Sequence, residues 1–546
     1  MPAMRIAFLA VDWRWEDPAG QFASFSYAAR KLEASVRSAP DLVDVETHVI
    51  DLKTDDPDAF FEEIRRVRPT LLACSAYIWS VATFLEVARR VKHWDSSIRV
   101  VLGGPAARVS LLSLAAYRPL LRHIDAIATG EGEEVIRALA RGTALESIPD
   151  LILPHPLGFR STPPGERPEL DNYPSPYQIG TAPADHTGFI ETFRGCPMSC
   201  AFCQWGDQRS DRVYGAEYLA AHLRGLVEAR ATNVFFTDAA FNLSARGFRN
   251  LMEAERAVGA LSKFAVHGHF YPTHLKDEHL EFLALVGKPQ VSIGIQSFDP
   301  EVLRKLGRPF DLARFERVLK DLRGRIPIDV EIIYGLPGDN PESFRRTVDK
   351  TMELADSVRI FYPMVLPDAL LERVDEFGIR FDPRSFVIEE CDGWSARDLR
   401  DGWEQLARRT EGLANYMVSP TWLGFRTPSA TERDAQRAPV AAPSPRVSSE
   451  EVQALTSSLG TSMAGWSVSG ARLDDRALLV DLGSPQGAVL LEVIASRDGA
   501  RSFARRDGLA YSYRGSIDSA SARELGRVID AIHAATVRLM AAAVGT

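Results

Sequence analysis

Apolar positions recur along the chain in two alternating periods. Met4–Ala10, Val45–Leu52, Thr70–Ala76, Arg99–Gly103 and Ile124–Thr129 are short apolar runs, whereas Ala23–Val36, Ala59–Val67 and Ala82–Val91 carry helical spacing. Strands separated by helices of this length predict a Rossmann-like, doubly wound parallel sheet. Its ligand crevice is expected at the carboxyl ends of the strands. Those ends carry Ser75-Ala76-Tyr77-Ile78-Trp79, Gly103-Gly104-Pro105 and Gly130-Glu131-Gly132-Glu133-Glu134.

A stretch rich in Pro and Gly, from about Pro154 to Thr187, reads as a connecting arm. A second alternating series follows, with strand candidates at Thr187–Phe193, Asn233–Thr237, Phe264–Phe270, Gln290–Ser297, Ile328–Tyr334 and Ser357–Val365. Strands with crossover helices in this number close a full or partial (β/α) barrel, whose chemistry also gathers at strand carboxyl ends. A helical region near Ala396–Ala414 precedes a Pro-, Ala- and Ser-rich linker. The tail adds a strand pair (Ala477–Leu482, Ala488–Ile494) and a helix at Ala520–Ala542, a small α+β module. The expected divisions are 1–150, an arm 151–186, a barrel 187–390, a helical extension 391–427, a linker 428–449 and a C-terminal module 450–546.

Length and composition then narrow the class. At 546 residues the chain exceeds one core, and 45% hydrophobic with 25% charged residues is ordinary for a globular protein. The net charge of -9 argues against nucleic acid as the main partner. The amino terminus reads as a first strand and lacks the layout of a signal peptide. Apolar stretches such as Leu111 to Tyr117 stop well short of a membrane span. A cytoplasmic protein with no membrane partner is expected.

The cysteines are Cys74, Cys196, Cys200, Cys203 and Cys391. An odd number with three close together is a poor disulfide framework and suits a reducing compartment and a metal site. The three lie in Arg194-Gly195-Cys196-Pro197-Met198-Ser199-Cys200-Ala201-Phe202-Cys203, just after the first barrel strand. Thiolates are preferred ligands of iron–sulfur clusters. The spacing by itself is also compatible with a zinc knuckle or three unrelated thiols.

This segment resembles the cluster loop of the radical S-adenosylmethionine superfamily, whose CxxxCxxC motif has an aromatic residue before the third cysteine. The resemblance implies that Cys196, Cys200 and Cys203 hold a 4Fe–4S cluster. Its open iron would chelate S-adenosylmethionine, and an electron from the cluster would cleave that cofactor to a 5′-deoxyadenosyl radical. Phe202 occupies the aromatic position, near the adenine. Val291-Ser292-Ile293-Gly294-Ile295-Gln296-Ser297 resembles the fourth-strand motif, with Ser292 and Gln296 on one face. Leu303 to Arg308 follows it as in the family. Glu331-Ile332-Ile333-Tyr334-Gly335-Leu336-Pro337-Gly338 resembles the fifth-strand motif, which brings Glu331, Gly335 and Leu336 to the cofactor. Tyr362-Pro363 through Pro367 resembles the sixth strand, although Pro-Asp-Ala replaces the common Pro-Gly-Thr. Thr237-Asp238-Ala239 stands where relatives often have Gly-Gly-Glu, making Asp238 the counterpart of their amino-group contact.

The amino-terminal sheet lacks a GxGxxG fingerprint, which weakens a dinucleotide reading. Directly before such a barrel, it resembles the domain of the cobalamin-binding subfamily, whose cofactor tail enters the sheet crevice. Gly103, Gly104 and Pro105 with Gly130, Glu131 and Gly132 match that family's glycine-rich loops, where a bulky tail approaches bare backbone. No DxHxxG sequence supplies a histidine to cobalt. Ser75, Tyr77 and Trp79 follow the third strand, where relatives place residues under the corrin, and Trp79 is the choice for the lower cobalt face.

Other residues carry weaker expectations. His267 and His269 alternate onto one strand face, as substrate contacts, acid–base groups or a satisfied interior pair. Asp329 and Glu331 share a face likewise. Cys391 is more often an inert thiol than an active-site group, Cys74 is packing, and Trp13 and Trp15 are near the first strand. The resemblance implies methyl transfer from methylcobalamin to an unactivated carbon or phosphinate of a small natural-product-type substrate, with an external flavodoxin- or ferredoxin-type electron donor. Its rivals are a non-methylating radical reaction such as ring contraction or cyclisation, non-radical methyl transfer from methylcobalamin, and a cobalamin-responsive binding protein. No residue is assigned the proton transfers.

Overall fold

Strand β1 (Arg5–Val11) is apolar on both faces, with Ile6 through Ala10 all buried, as a central strand of a parallel sheet must be. It pairs in parallel with β2 (Glu46–Leu52) on one side and β3 (Leu71–Ser75) on the other, and β4 (Arg99–Gly103) and β5 (Ala126–Ala128) continue the parallel order. Helices Tyr27–Arg37 and Glu133–Ala140 cover one face, and Pro57–Val67 and Val81–Trp94 cover the other. The sheet is therefore doubly wound. Its order β2-β1-β3-β4-β5 reverses between β1 and β3, the switch point beside which a ligand crevice forms.

The arm expected to start near Pro154 begins instead as a hairpin. β6 (Leu151–His155) and β7 (Gly158–Ser161) extend the same sheet in antiparallel sense. Pro154 is tolerated because only Leu151 and Ile152 pair with β5, so its missing N–H breaks no ladder there.

The computed structural model describes residues 4–12, 23–155, 158–207, 212–308, 311–410, 413, 422–427, 447–459, 465–474, 477–484, 487–495, 504–506, 509–514 and 519–544. Trp13, Trp15 and positions 428–446 of the expected linker lie outside them.

A second sheet opens with β8 (Gly188–Ile190). A short antiparallel ribbon, β9 (Phe193–Arg194) and β10 (Arg212–Val213), flanks the cysteine segment. The sheet continues through β11 (Val234–Phe236), β12 (Ala265–His269), β13 (Lys288–Gln296), β14 (Ile328–Ile333) and β15 (Ser357–Phe361), in chain order and all parallel. After a minor pair, β16 (Arg380–Phe381) and β17 (Ile388–Glu390), strand β18 (Trp422–Arg426) joins β15 antiparallel. Among the described residues β8 and β18 do not pair, so the barrel is partial.

Caps mark the crossover helices: Ser244 accepts from Gly247 N before Ala245–Val258, Gly259 ends that helix in the left-handed region, and Asn340 with Pro341 starts Pro341–Leu354. Val330, Ile332, Val358 and Ile360 belong to the apolar core of this barrel. The positions alternating with them are polar. His267 pairs with Ser292, and Arg359 holds Asp329 and Glu331, whereas a barrel closed by packing alone fills its interior with branched apolar side chains.

The chain divides into two compact units, residues 1–427 and 428–546. In the second, β19 (Ser467–Asp474), β20 (Ala477–Ser484), β21 (Gly487–Ala495), β22 (Ala504–Arg506) and β23 (Leu509–Arg514) form an antiparallel sheet ordered β19-β20-β21-β23-β22. Helices Ser449–Leu459 and Ser519–Val544 pack on it through Leu455, Leu459, Val528 and Ile532, an α+β arrangement. No helix among the described residues is long and apolar enough to cross a membrane.

Candidate active site

The chain leaves β9 at Arg194, turns at Gly195 (φ 103°), and delivers Cys196, Cys200 and Cys203 to the wall of one cavity of about 120 Å³. Phe202 and Trp205 line it from the same loop. Ala239, His269, Gly294, Gln296 and Glu331 line it from the neighbouring strands and the segments after them, and Arg308 from just beyond the helix Pro300–Lys305. The loop is held from behind: Ala201 N donates to Leu306 O at 2.9 Å, and Cys203 N to Cys200 O at 3.1 Å. Gly307, at φ 68°, lies so close that a Cβ there would meet Ser199 O at 2.8 Å.

Cys196 and Cys200 are buried and Cys203 is partly so; none forms a disulfide. Burial holds the Cys196 thiol above its ordinary value and pushes Cys203 up to about 11. Arg308 donates to Cys200 Sγ at 3.3 Å and to the Gly294 carbonyl, and its guanidinium lies 5.1 Å from the Tyr271 ring centre. A cation beside the thiols is what an anionic cluster needs.

Among the described residues no three His, Cys, Asp or Glu side chains converge tightly enough for a single metal ion. Three thiols around one cavity fit a 4Fe–4S cluster, whose separate irons each take one ligand. The cavity also fits a polar cofactor on the open iron. Gln296 Oε1 is buried there without a hydrogen-bond partner, and Gln296 itself sits at φ 74° where the β13–β14 register shifts. A strained residue with an unsatisfied acceptor at a cavity wall marks a ligand contact.

Glu331 lines the same wall and lies 3.3 Å from His269 Nε2. Burial opposes the charge on each, but each partner's charge overcomes it, so His269 is raised and Glu331 lowered from their ordinary values. Arg359 adds to the network at 2.9 Å from Asp329 and 3.6 Å from Glu331. His267 is different. Burial first, then the Arg359 charge, lowers it to about 3, and its Nε2 lies 2.7 Å from Ser292 Oγ.

Other expected residues fall outside the cavity. Ser292 is fully buried against His267. Both Asp238 oxygens are taken up by the chain leading to the cluster loop: Thr192 N at 2.8 Å, Phe193 N at 3.1 Å and Thr192 Oγ1 at 3.1 Å. Burial pushes Asp238 up to about 7 despite these bonds. Leu336 is in the barrel core, and a Cβ on Gly335 (φ 73°) would meet Leu399 at 2.6 Å. Cys391 donates weakly to Gly335 O at 3.6 Å and does not line the cavity. Cys74 is buried in β3. Arg308, Trp205 and the Arg194 contacts described below were not singled out from the sequence. Only the basic residue closing the Leu303–Arg308 segment carried a signal for the first.

At the first sheet, Gly104 has φ 101°, and a Cβ there would meet Ala76 O at 2.8 Å; one on Gly132 would meet Leu32 Cδ2 at 3.0 Å. Gly130, at φ 102°, has open space above it. Bare backbone and open space at strand carboxyl ends fit a bulky cofactor tail. Trp79 is not a core residue: it is 43% exposed and stacks on Tyr77 with ring centres 4.5 Å apart. Ser75 lies just before this pair, and its carbonyl accepts from Ser80 Oγ at 3.0 Å.

Two family models match the chain. Residues 27–140 match the B12 binding domain, and residues 190–351 match the radical SAM superfamily. Over 356 residues the chain is 29% identical to the 2-(S-pantetheinyl)-carbapenam-3-carboxylate methyltransferase of Streptantibioticus cattleyicolor, covering 59% of this chain and 51% of that protein. It is 28% identical, with the same coverage, to the cobalamin-dependent radical SAM methyltransferase TokK of Streptomyces tokunonensis. The chain thus spans about half the length of these relatives. Among solved structures, the methyltransferase TsrM of Kitasatospora setae, with cobalamin and a [4Fe-4S] cluster bound, shares the fold. The TM-score is 0.53 at 21% identity, over 68% of this chain and 78% of that one. With a B12-binding domain directly preceding a radical SAM domain, the chain belongs to the cobalamin-dependent radical S-adenosylmethionine family, whose cofactors are a 4Fe–4S cluster, S-adenosylmethionine and cobalamin.

Proposed function

We propose that the chain is a radical C-methyltransferase acting on a small natural-product-type molecule. One observation carries this reading: the cluster loop and the glycine loops of the first sheet are in direct contact. Gln204 Nε2 donates to Pro105 O at 3.1 Å, and Arg194 pairs with Glu131 and Glu133. Cofactors in the two crevices would therefore lie close together, as methyl delivery to a substrate radical requires.

When bound, the cluster and S-adenosylmethionine supply a radical that activates a C–H bond, and cobalamin supplies the methyl group. The chain's own residues do the rest. Cys196, Cys200 and Cys203 hold the cluster, and Arg308 offsets its negative charge. Glu331, kept anionic by His269, and Gln296 offer acceptors to the hydroxyl and amino groups of S-adenosylmethionine. The Tyr77–Trp79 stack would offer an apolar surface to a corrin held at this crevice and would help keep water from it. Reducing electrons would come from a small flavodoxin- or ferredoxin-type donor in the cytoplasm.

The relatives' names make a carbapenam and tryptophan the first candidate substrates. The reconstituted protein, incubated anaerobically with each, S-adenosylmethionine and a low-potential donor, is analysed by mass spectrometry. Methylated product together with 5′-deoxyadenosine is expected. 5′-Deoxyadenosine with an unmethylated rearranged product replaces this reading with a non-methylating radical reaction. Methylated product without 5′-deoxyadenosine replaces it with non-radical transfer.

A further inference from the structure

The cluster loop is tied to the first sheet at both of its ends, and each tie lands on a different glycine loop. Arg194, two residues before Cys196, reaches Glu131 Oε2 at 3.0 Å and Glu133 Oε1 at 2.6 Å. Glu131 is the middle residue of Gly130-Glu131-Gly132, and Glu133 opens the helix that follows. Gln204, the residue after Cys203, bonds the carbonyl of Pro105, which ends Gly103-Gly104-Pro105. The nine positions between the ties carry all three cluster thiols.

The Arg194 tie is an unusual one to bury. Its side chain is 13% exposed and that of Glu133 only 5%. Desolvating such charges offsets most of their attraction, so buried pairs are weak stabilisers, and fixing a register is their best-attested use. The network here is closed. Arg194 also holds Glu191 at 3.0 Å, Glu131 is shared with Arg212, and the Tyr214 hydroxyl donates to Glu191 at 2.7 Å. Moving the cluster loop away from the glycine loop would break several of these pairs at once. The contact is therefore docked or undocked, with little between.

We propose that Arg194 and Gln204 are positioning residues that couple the two cofactor sites, so that a cluster on Cys196, Cys200 and Cys203 tightens cobalamin binding by the glycine loops, and the reverse. The inference rests on the reading of these loops and thiols as the two cofactor sites. A cluster held by three thiols orders the segment between residues 194 and 204. Its ordered ends then hold Glu131 and the Pro105 carbonyl in their docked places. Gly104 and Gly130 have wide backbone freedom when undocked, so a cofactor tail that meets them already ordered binds at lower entropic cost. Linkage makes the effect reciprocal.

The test is a titration of the full-length protein with hydroxocobalamin under anaerobic conditions, followed by absorbance. Each variant is measured in a cluster-loaded form and in a cluster-free Cys196→Ala/Cys200→Ala/Cys203→Ala background. In the wild-type chain the loaded form should bind about tenfold more tightly or better, within the usual range of coupling between sites. Arg194→Gln and, separately, Gln204→Ala should bring this ratio towards one, while Arg194→Lys retains part of it. A general loss of stability would shift both forms alike and leave the ratio intact. Gln204→Ala keeps the test open should Arg194→Gln fail to fold. A wild-type ratio near one, or a wild-type ratio preserved in both variants, overturns the coupling and leaves the cofactor assignment standing. If no form binds hydroxocobalamin, the cofactor reading falls and the coupling with it.

Discussion

Trp79 stands at the carboxyl end of β3 with nearly half its surface open and its ring flat on Tyr77. A tryptophan buried in a core would leave a cavity when truncated; this one leaves mainly a lost stack, so Trp79→Ala should cost only about 1 kcal/mol of stability. Under a corrin it would exclude water from cobalt. The bound cob(II)alamin of the wild type should then show no axial-nitrogen splitting in its electron paramagnetic resonance spectrum. In Trp79→Ala, methylated product should fall further than 5′-deoxyadenosine. Parallel losses, or no loss in a folded variant, would leave Trp79 as packing.

His269 and Glu331 permit a pH prediction at the same scale. His269 is raised above 6.5, so its contribution to stability is complete below that value and fades as pH rises through the folded pKa. Glu331 is lowered from 4.5, so its contribution is complete above that value and fades as pH falls through the folded pKa. The pair therefore helps most between these two ordinary values. The melting-temperature gap between wild type and His269→Gln should be widest near pH 6 and narrower at about pH 9. A gap that does not change with pH would show that the pair carries no net linkage.

The cluster loop, as an element, depends on residues it does not contain. Asp238, on the segment after β11, binds two backbone N–H groups and a hydroxyl of the chain entering the loop. Asp238→Ala strips the acceptor from all three of these donors and should cost about 2 kcal/mol. It should also lower iron content after reconstitution, although every thiol remains. The Cys196→Ala/Cys200→Ala/Cys203→Ala variant should lose all visible cluster absorption, against about four irons in the wild type. Retained iron in that variant would remove the cluster assignment.

The same contrast governs what could be read from sequence. The parallel strands were legible because burial on both faces forces an unbroken apolar run, as in Ile6–Ala10 and Leu71–Leu72. The cysteine triad was legible because its ligands are local. β6, β7 and β18 were not, since short antiparallel strands at a sheet margin tolerate Pro154, Gly158 and Gly424 and read as loop. Nor were the ties from Arg194 to Glu131 and from Gln204 to Pro105. Each joins loops of different sheets, and no local pattern at either end announces its partner.

At the scale of the whole molecule, both sheets and every residue placed here in a cofactor site belong to the unit ending at Thr427. Its last strand is structural. β18 pairs with β15 from Ser357↔Arg426 to Phe361↔Trp422, and Thr427 Oγ1 donates to Ala355 O at 2.6 Å. Removing β18 would expose the backbone edge of β15 along a strand that carries Val358 and Ile360 at the centre of the barrel core. An open edge of this kind pairs with other chains. A chain ending at Thr427 should therefore fold, elute as a defined species, take up about four irons and bind hydroxocobalamin. A chain ending at residue 413 should aggregate on size-exclusion chromatography. The two truncations differ by little length but by one whole strand, so their contrast isolates β18 from the C-terminal unit. If the longer piece folded yet retained neither cofactor, residues 428–546 would have to share in cofactor binding. The division of labour drawn here between the two units would then be wrong.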